Sequence, residues 1–423
     1  MACSRKISMG RIRNIYWGWF VVAGAFLVLS INYGARYCFG VFVKPMAADY
    51  EWSRSVISLG ASLNMLVYSV CAIYIGRLLD KTAPRWIITC GAVLAAMGLI
   101  LTSLVKTPVQ FYLVYGLLLG AGSACMGVVV TNPSVSRWFI RKRGLAIGVT
   151  TMGISFGTIL LTPAAGFLVK DYGWQSGFLF LGAVTLVVGV SLSQLLLGKT
   201  HPEAYGMLPD GEKDPALVTR IQPGQHHPPR LPVSQILTDR RFVILGGCFS
   251  LAVMALMAVF VHQVAYALDN RIEKVAAASS LGAIGLAGFC GQFFFGWLSD
   301  RIKDAKYAAC LGLLIMAVGM FILLEATTAR HLYFYAVIFG FGYGSLAPMM
   351  PILVADRFGR HVMGSVYGLL TFFIGMGGAV GPILGGVIFD AFGSYIHVWQ
   401  LNMVLLAVAA LVILTLKKDT PSS

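Results

Sequence analysis

Two stretches decide the fold: Gly76-Arg-Leu-Leu-Asp80-Lys81-Thr-Ala-Pro-Arg85 and, 220 residues later, Gly296-Trp-Leu-Ser-Asp300-Arg301-Ile-Lys303-Asp-Ala-Lys306. Each repeats the pattern G-x-x-x-D-[KR], and each follows a long apolar run. A glycine in that place lets a neighbouring helix come close. The aspartate can accept hydrogen bonds from a helix N-terminus or pair with a base, so Gly76, Asp80, Lys81, Arg85, Gly296, Asp300 and Arg301 are read as a cytoplasmic latch. A plain loop whose bases merely follow membrane topology would have no use for the two aspartates.

Working outward, the chain holds twelve apolar runs long enough to cross a bilayer with about 20 residues each. They start near Tyr16, Val56, Ile87, Phe111, Leu145, Trp174, Phe242, Ala276, Ala308, Leu332, Val366 and Ile396. The two latch loops therefore follow the second and the eighth run, the same place in each half. One long connection, residues 198–241, carries seven of the 16 prolines and eleven charged residues, which makes it a polar linker. The expected organisation is a six-helix bundle over 1–197, a cytoplasmic linker over 198–241 and a second six-helix bundle over 242–423. Matching halves around a linker are the pattern of a transporter built from repeats.

Composition agrees. Of 423 residues, 58% are apolar and 12% charged, against about 25% charged in soluble proteins. So few charges cannot clothe soluble domains of this size, and lipid must cover the remainder. The net charge of +15 is a topology label rather than a nucleic-acid footprint, because the bases lie between apolar runs. With the N-terminus placed in the cytoplasm, the internal connections hold 24 Lys and Arg against 10 Asp and Glu, and the external ones seven against seven. Both termini and the linker are thus expected inside. The deciding clusters are Arg5, Lys6, Arg11 and Arg13, then Arg137, Arg141, Lys142 and Arg143, and finally Lys417 and Lys418. The first run is too long for a signal-peptide core and is read as retained.

Several chemistries find no support. The eight cysteines form no CxxC pair, His226-His227 lacks ligand spacing, and no GxxxxGK[ST] motif exists. Disulfide framework, metal site and ATP hydrolysis are therefore not expected, nor is any cofactor. Trp52, Trp86, Trp174 and Trp399 stand at run ends and read as interfacial anchors.

The repeated loop resembles the hallmark of the major facilitator superfamily, and the resemblance spans the chain. Within it the sequence looks like the monocarboxylate transporters and their oxalate/formate antiporter relatives. The carrying residues are Trp17-Gly18-Trp19, Phe39-Gly40-Val41-Phe42, Trp52-Ser53-Arg54, Trp138-Phe139 and Arg143-Gly144-Leu145-Ala146 with Gly148. The acidic residue that usually precedes WGW is replaced by Ile15-Tyr16. The resemblance implies an all-α fold of twelve helices in two bundles and secondary transport in a plasma membrane, here expected to be a bacterial inner membrane. It also implies an arginine at Gln292 for the substrate carboxylate and, in proton-coupled members, an aspartate at Gly288. Neither is present. The family's lysines of helices 11 and 1 likewise fall at Ile374 and Tyr37.

Arg36 is the one formal charge inside a run. A relocated charge is one reading: Arg36 clamps a carboxylate with two parallel hydrogen bonds, and Gln292 adds a neutral donor. The other is that Arg36 snorkels to the outer interface. His262 has the only side chain within a run that titrates near neutrality. It either couples protons or rests as a neutral bundle histidine. Tyr33, Tyr37, Asn132 and Tyr343 complete the substrate-site candidates, Asn132 because Pro133 frees backbone groups beside it. The expected activity is secondary transport of a small organic anion, a monocarboxylate, by alternating access. A neutral or zwitterionic solute is the alternative. A sensor or membrane enzyme is a remote third, without nucleophile–base pair or soluble domain to support it.

Overall fold

The structure is a computed structural model and describes residues 16–52, 54–198, 202–205, 207–211, 233–359 and 362–417. Arg5, Lys6, Arg11, Arg13, His226, His227, Lys418 and most of the linker lie outside the described residues.

Among the described residues, 12 helices are long and apolar enough to span a bilayer. They are α1 (Gly18–Tyr50), α2 (Arg54–Leu79), α3 (Pro84–Thr102), α4 (Pro108–Ser136), α5 (Arg143–Tyr172) and α6 (Trp174–Leu196). In the second bundle come α7 (Arg240–Asp269), α8 (Lys274–Ser299), α9 (Lys306–Leu324), α10 (Ala329–Phe358), α11 (Met363–Phe392) and α12 (Ile396–Leu414). Most begin up to three residues before the apolar run, because prolines and bases such as Pro84, Pro108, Arg143 and Lys306 form the first turn. Three spans are broken. α1 is interrupted at Cys38-Phe39, α4 at Gly127 and α10 at Gly344-Ser345. A π-helical turn over Tyr112–Leu118 further distorts α4.

The halves touch most extensively through two crossings, α2 with α11 and α5 with α8. Both are glycine contacts. A Cβ at Gly76 would strike the Gly364 carbonyl, and one at Gly296 would strike the Gly144 carbonyl and the Gly148 backbone. Bare backbones in contact substitute dispersion for the hydrophobic drive that lipid removes. The repeat runs deeper than the two loops: Gly76 and Gly296, Arg137 and Arg357, Gly144 and Gly364, and Gly148 and Gly368 are all 220 positions apart.

At the same end, helix termini are joined by carboxylates. Asp300 accepts from the backbone N–H groups of Gly144 (2.6 Å) and Leu145 (2.8 Å) at the start of α5. Asp80 accepts from Ser365 at the start of α11, through its N–H at 3.0 Å and its hydroxyl at 2.6 Å. Each half therefore caps a helix of the other, where anions are favoured. Burial pushes both carboxyls above their usual range despite these bonds. The charge is costly there, so the latch holds without being permanent.

Away from the latch the bundles diverge. On the α8 face that meets α5, Gln292 is fully buried, yet a methyl at Gly285 or Gly282 would touch nothing. On α11, Gly375 packs on Ser69 of α2, whereas Gly386 has open space. The molecule is closed at the latch end and open at the other. Leu29, Tyr33 and Ile154 form a small buried cluster packed with Val128 and Ala347, where α1, α4, α5 and α10 meet.

Trp174 and Trp399 do not sit as interfacial anchors: they are 1% and 0% exposed. Trp174 donates its indole N–H to Asp49 at 2.7 Å, and Trp399 packs edge-on against Tyr266. Trp86 remains exposed.

Replacing Gly296 by valine should keep the latch from closing. Spin labels on Lys142→Cys and Lys303→Cys, both exposed in wild type, are expected to show the short interprobe distance of the closed form replaced by a longer one.

Candidate functional site

The cleft is built around Arg36. It lies in the last turn of the first segment of α1, before the break at Cys38-Phe39, where helix carbonyls favour a cation. Its Nε donates to Asn64 Oδ1 at 3.1 Å. Asn64, buried on α2, in turn donates its amide to the Tyr115 carbonyl at 2.8 Å. That carbonyl belongs to the π-helical turn of α4, a distortion of the kind often found at functional sites. The amide is thus oriented from both sides, with its oxygen toward the guanidinium.

Beneath Arg36 lies the Tyr68 ring, 4.4 Å from the guanidinium carbon to the centroid, with the Tyr33 ring at 5.8 Å. The Tyr33 and Tyr68 hydroxyls share a hydrogen bond of 3.0 Å. Cation–π contact and one neutral hydrogen bond hold the group without neutralising it. Among the described residues no acid forms an ion pair with Arg36, and its two terminal nitrogens have no hydrogen-bond partner there. Those nitrogens are the fork that binds carboxylates.

The other candidates separate into groups. Tyr37 follows Arg36, is 53% exposed, and meets Tyr33 edge-on at 5.4 Å. Tyr343 of α10 stands one turn from Ala347, which packs with the Leu29, Tyr33 and Ile154 cluster. These three share the cleft with Arg36. Asn132 does not open into it. It is fully buried and donates to the Tyr367 hydroxyl at 3.1 Å, a bond between the halves. Gln292 is also fully buried, in the α5–α8 crossing, with Ser155 donating to its Oε1 at 3.5 Å and its Nε2 without a partner. His262 lies toward the open end of α7, its Nε2 2.9 Å from the Pro382 carbonyl and its ring on Tyr395. A carbonyl only accepts, so that nitrogen carries the proton. None of its contacts is with the Arg36 cluster.

At the latch end, Lys81 and Arg301 are exposed. Arg301 stacks on Trp297 at 4.3 Å and Arg85 on Trp86 at 5.0 Å. The ion pairs there use other bases: Arg137 with Asp80 (3.5 Å), Arg143 with Asp356 (2.9 Å) and Arg357 with Asp304 (2.6 Å). Sequence reasoning also passed over Asp210. Its carboxylate accepts from the N–H groups of Ile140, Arg141 and Lys142, and its own N–H reaches the Trp138 carbonyl. The linker segment therefore braces the loop whose next amides hold Asp300. The Pro209-Asp210-Gly211 turn signal was the available clue.

A broken-helix, two-bundle molecule with an interlocked latch at one end and a charged cleft at the other matches one family. A sequence profile of the Major Facilitator Superfamily fits residues 25–378, and a second match covers 281–423. The chain belongs to that superfamily. It is a secondary transporter and not an enzyme. Among curated proteins it is similar to Monocarboxylate transporter 12-B of Danio rerio, 29% identical over 405 residues, covering 90% of this chain and 82% of that one. It is also similar to Monocarboxylate transporter 11 of Homo sapiens, 26% identical over 419 residues, covering 96% and 84%. Among solved structures, the fucose transporter FucP in the outward conformation superposes with a TM-score of 0.71 at 16% identity, covering 96% of this chain and 100% of that one. The proton:xylose symporter XylE does so with 0.74 at 14%, covering 95% and 96%. The last two establish the fold alone.

Asn64→Leu would leave the Tyr115 carbonyl and the Arg36 Nε unpaired beneath the cleft. Such orphaned groups cost about 1–3 kcal/mol each, so the variant should unfold at a visibly lower temperature than wild type in a thermal-stability assay.

Proposed function

We propose that the transported solute is a small organic monoanion, a monocarboxylate, held by Arg36. The observation that carries this is a guanidinium deep in the cleft with its Nε fixed by Asn64 and, among the described residues, no partner on its terminal nitrogens and no acid paired with it. One uncompensated cation asks for one negative charge. The names of the similar monocarboxylate transporters favour the same class. We assign the latch end to the cytoplasm from the distribution of bases, and the bilayer to the plasma membrane, which in a bacterium is the inner membrane.

The cycle then follows from electrostatics. A carboxylate entering from the open end meets Arg36 end-on, making two parallel bonds to the terminal nitrogens. Closing the cleft over a bare guanidinium would strip its water at a cost of several kcal/mol. Bound anion removes that cost, so occupancy favours the occluded form and allows the latch to part afterwards. The acids within the spans, Asp49, Asp171, Asp269, Asp356 and Asp390, all lie near helix ends, and the family's aspartate position is Gly288, so the empty carrier has no mid-span acid to take the anion's place. Its return is accordingly slow. His262, bonded to Pro382 and away from Arg36, is the remaining candidate for a proton-coupled step.

Reconstituted into liposomes, the wild type should exchange internal for external carboxylate at least about tenfold faster than it releases carboxylate into carboxylate-free buffer, one decade corresponding to 1.4 kcal/mol. Arg36→Gln should abolish both fluxes. Undiminished exchange by Arg36→Gln would overturn the assignment.

A further inference from the structure

Opposite Arg36, the second bundle presents an aromatic surface with an unusual foundation. The Tyr343 ring of α10 lies directly on the α8 backbone at Gly288: a Cβ there would come within 2.9 Å of its Cδ1 and 3.0 Å of its Cε1. The Phe260 ring of α7 meets it edge-on at 6.0 Å and 79°. Three helices thus fix one ring, and any side chain at 288 would displace it.

The first bundle answers with Tyr37. Its ring is 53% exposed and meets Tyr33, which lies under Arg36, edge-on at 5.4 Å, so it stands at the Arg36 cluster. Tyr37 follows Arg36 directly; it stands one turn from Tyr33, and Tyr343 one turn from Ala347, which packs with the Tyr33 cluster across the halves, both turns leading away from the latch end. The geometry is therefore a cation beside a slot whose two walls are aromatic and belong to different halves. A two- or three-carbon acid would occupy the cation and leave the slot to water. A polyhydroxylated tail would exchange its water for ring faces that cannot hydrogen-bond it. A planar ring fits, because aromatic pairs gain from edge and offset contacts in such a slot.

Resting on the Arg36 reading, we propose that the solute is an aryl monocarboxylate, its carboxylate on Arg36 and its ring between Tyr37 and Tyr343, with Gly288 and Tyr343 setting this specificity. The ring also joins the two halves, so the same contact that selects the solute draws the cleft shut over it.

The test compares benzoate and phenylacetate with acetate and pyruvate, by calorimetric binding to the purified full chain and by competition for exchange in liposomes. Wild type should bind the aryl acids at least tenfold more tightly. Tyr343→Ala should bring the aryl-to-alkyl affinity ratio to about one, Tyr343→Phe should restore it, and Gly288→Ala should lower it by displacing the ring. A general loss of folding would not change that ratio selectively. Equal binding of both classes by wild type, abolished in both by Arg36→Gln, would overturn the aryl proposal and leave the Arg36 reading standing. An aryl preference untouched by Tyr343→Ala would likewise overturn it. If neither class binds, the Arg36 reading fails and this proposal with it.

Discussion

Everything in this molecule depends on two carboxylates that cap helices belonging to the opposite bundle. Asp300 closes the start of α5 and Asp80 the start of α11, and both bonds are reachable only because glycines let the backbones touch. In lipid, two bundles gain little from hydrophobic burial against each other. Directional contacts at one end therefore decide which way the cleft opens. Burial raises the pKa of both carboxyls, so their charge is held at a cost where the latch uses it.

The loop between α4 and α5 is where the parts of the latch are coordinated. Three of its amides are occupied by Asp210 and the next two in use by Asp300. With the loop held from the linker side, the start of α5 faces Asp300 already shaped, and less ordering entropy is lost when the latch closes. Of the flanking pairs, Arg143 with Asp356 is partly exposed and serves alignment more than strength, whereas the Arg357 side chain is fully buried on Asp304, so removing either partner would strand a buried charge.

How far the sequence could be read follows from what each feature needs. Span number needs only one-dimensional apolarity, and the latch loops needed a glycine and an aspartate at one repeated distance; both are local in the chain. Depth and facing are not. Trp174 and Trp399 stand at helix ends as anchors do, but their burial depends on neighbours such as Asp49 and Tyr266 that are far away in sequence. Gln292 stands where the resemblance places a substrate-binding arginine and so is expected in the cleft; the structure turns it into the α5 crossing. The π-helical turn that offers the Tyr115 carbonyl has no composition signal at all. Arg36 was legible because a charge in an apolar run is conspicuous, whereas its tie to Asn64 and Tyr68 required two helices to meet.

The repeat explains why the cleft is lopsided. A latch can be two-fold, since each half holds the other in the same way, but a single small solute on the pseudo-axis cannot be met by two cations. In the 220-residue register, Arg36 corresponds to Leu256, Asn64 to Ile284 and Tyr68 to Gly288. The first half keeps the charge, its hydrogen-bond brace and the ring beneath it. The second half has none of the three, and the space over Gly288 is filled from α10 by Tyr343. Symmetric ends around an asymmetric centre let one bundle fix the charge of the solute and the other its shape, while both contribute equally to the motion between them.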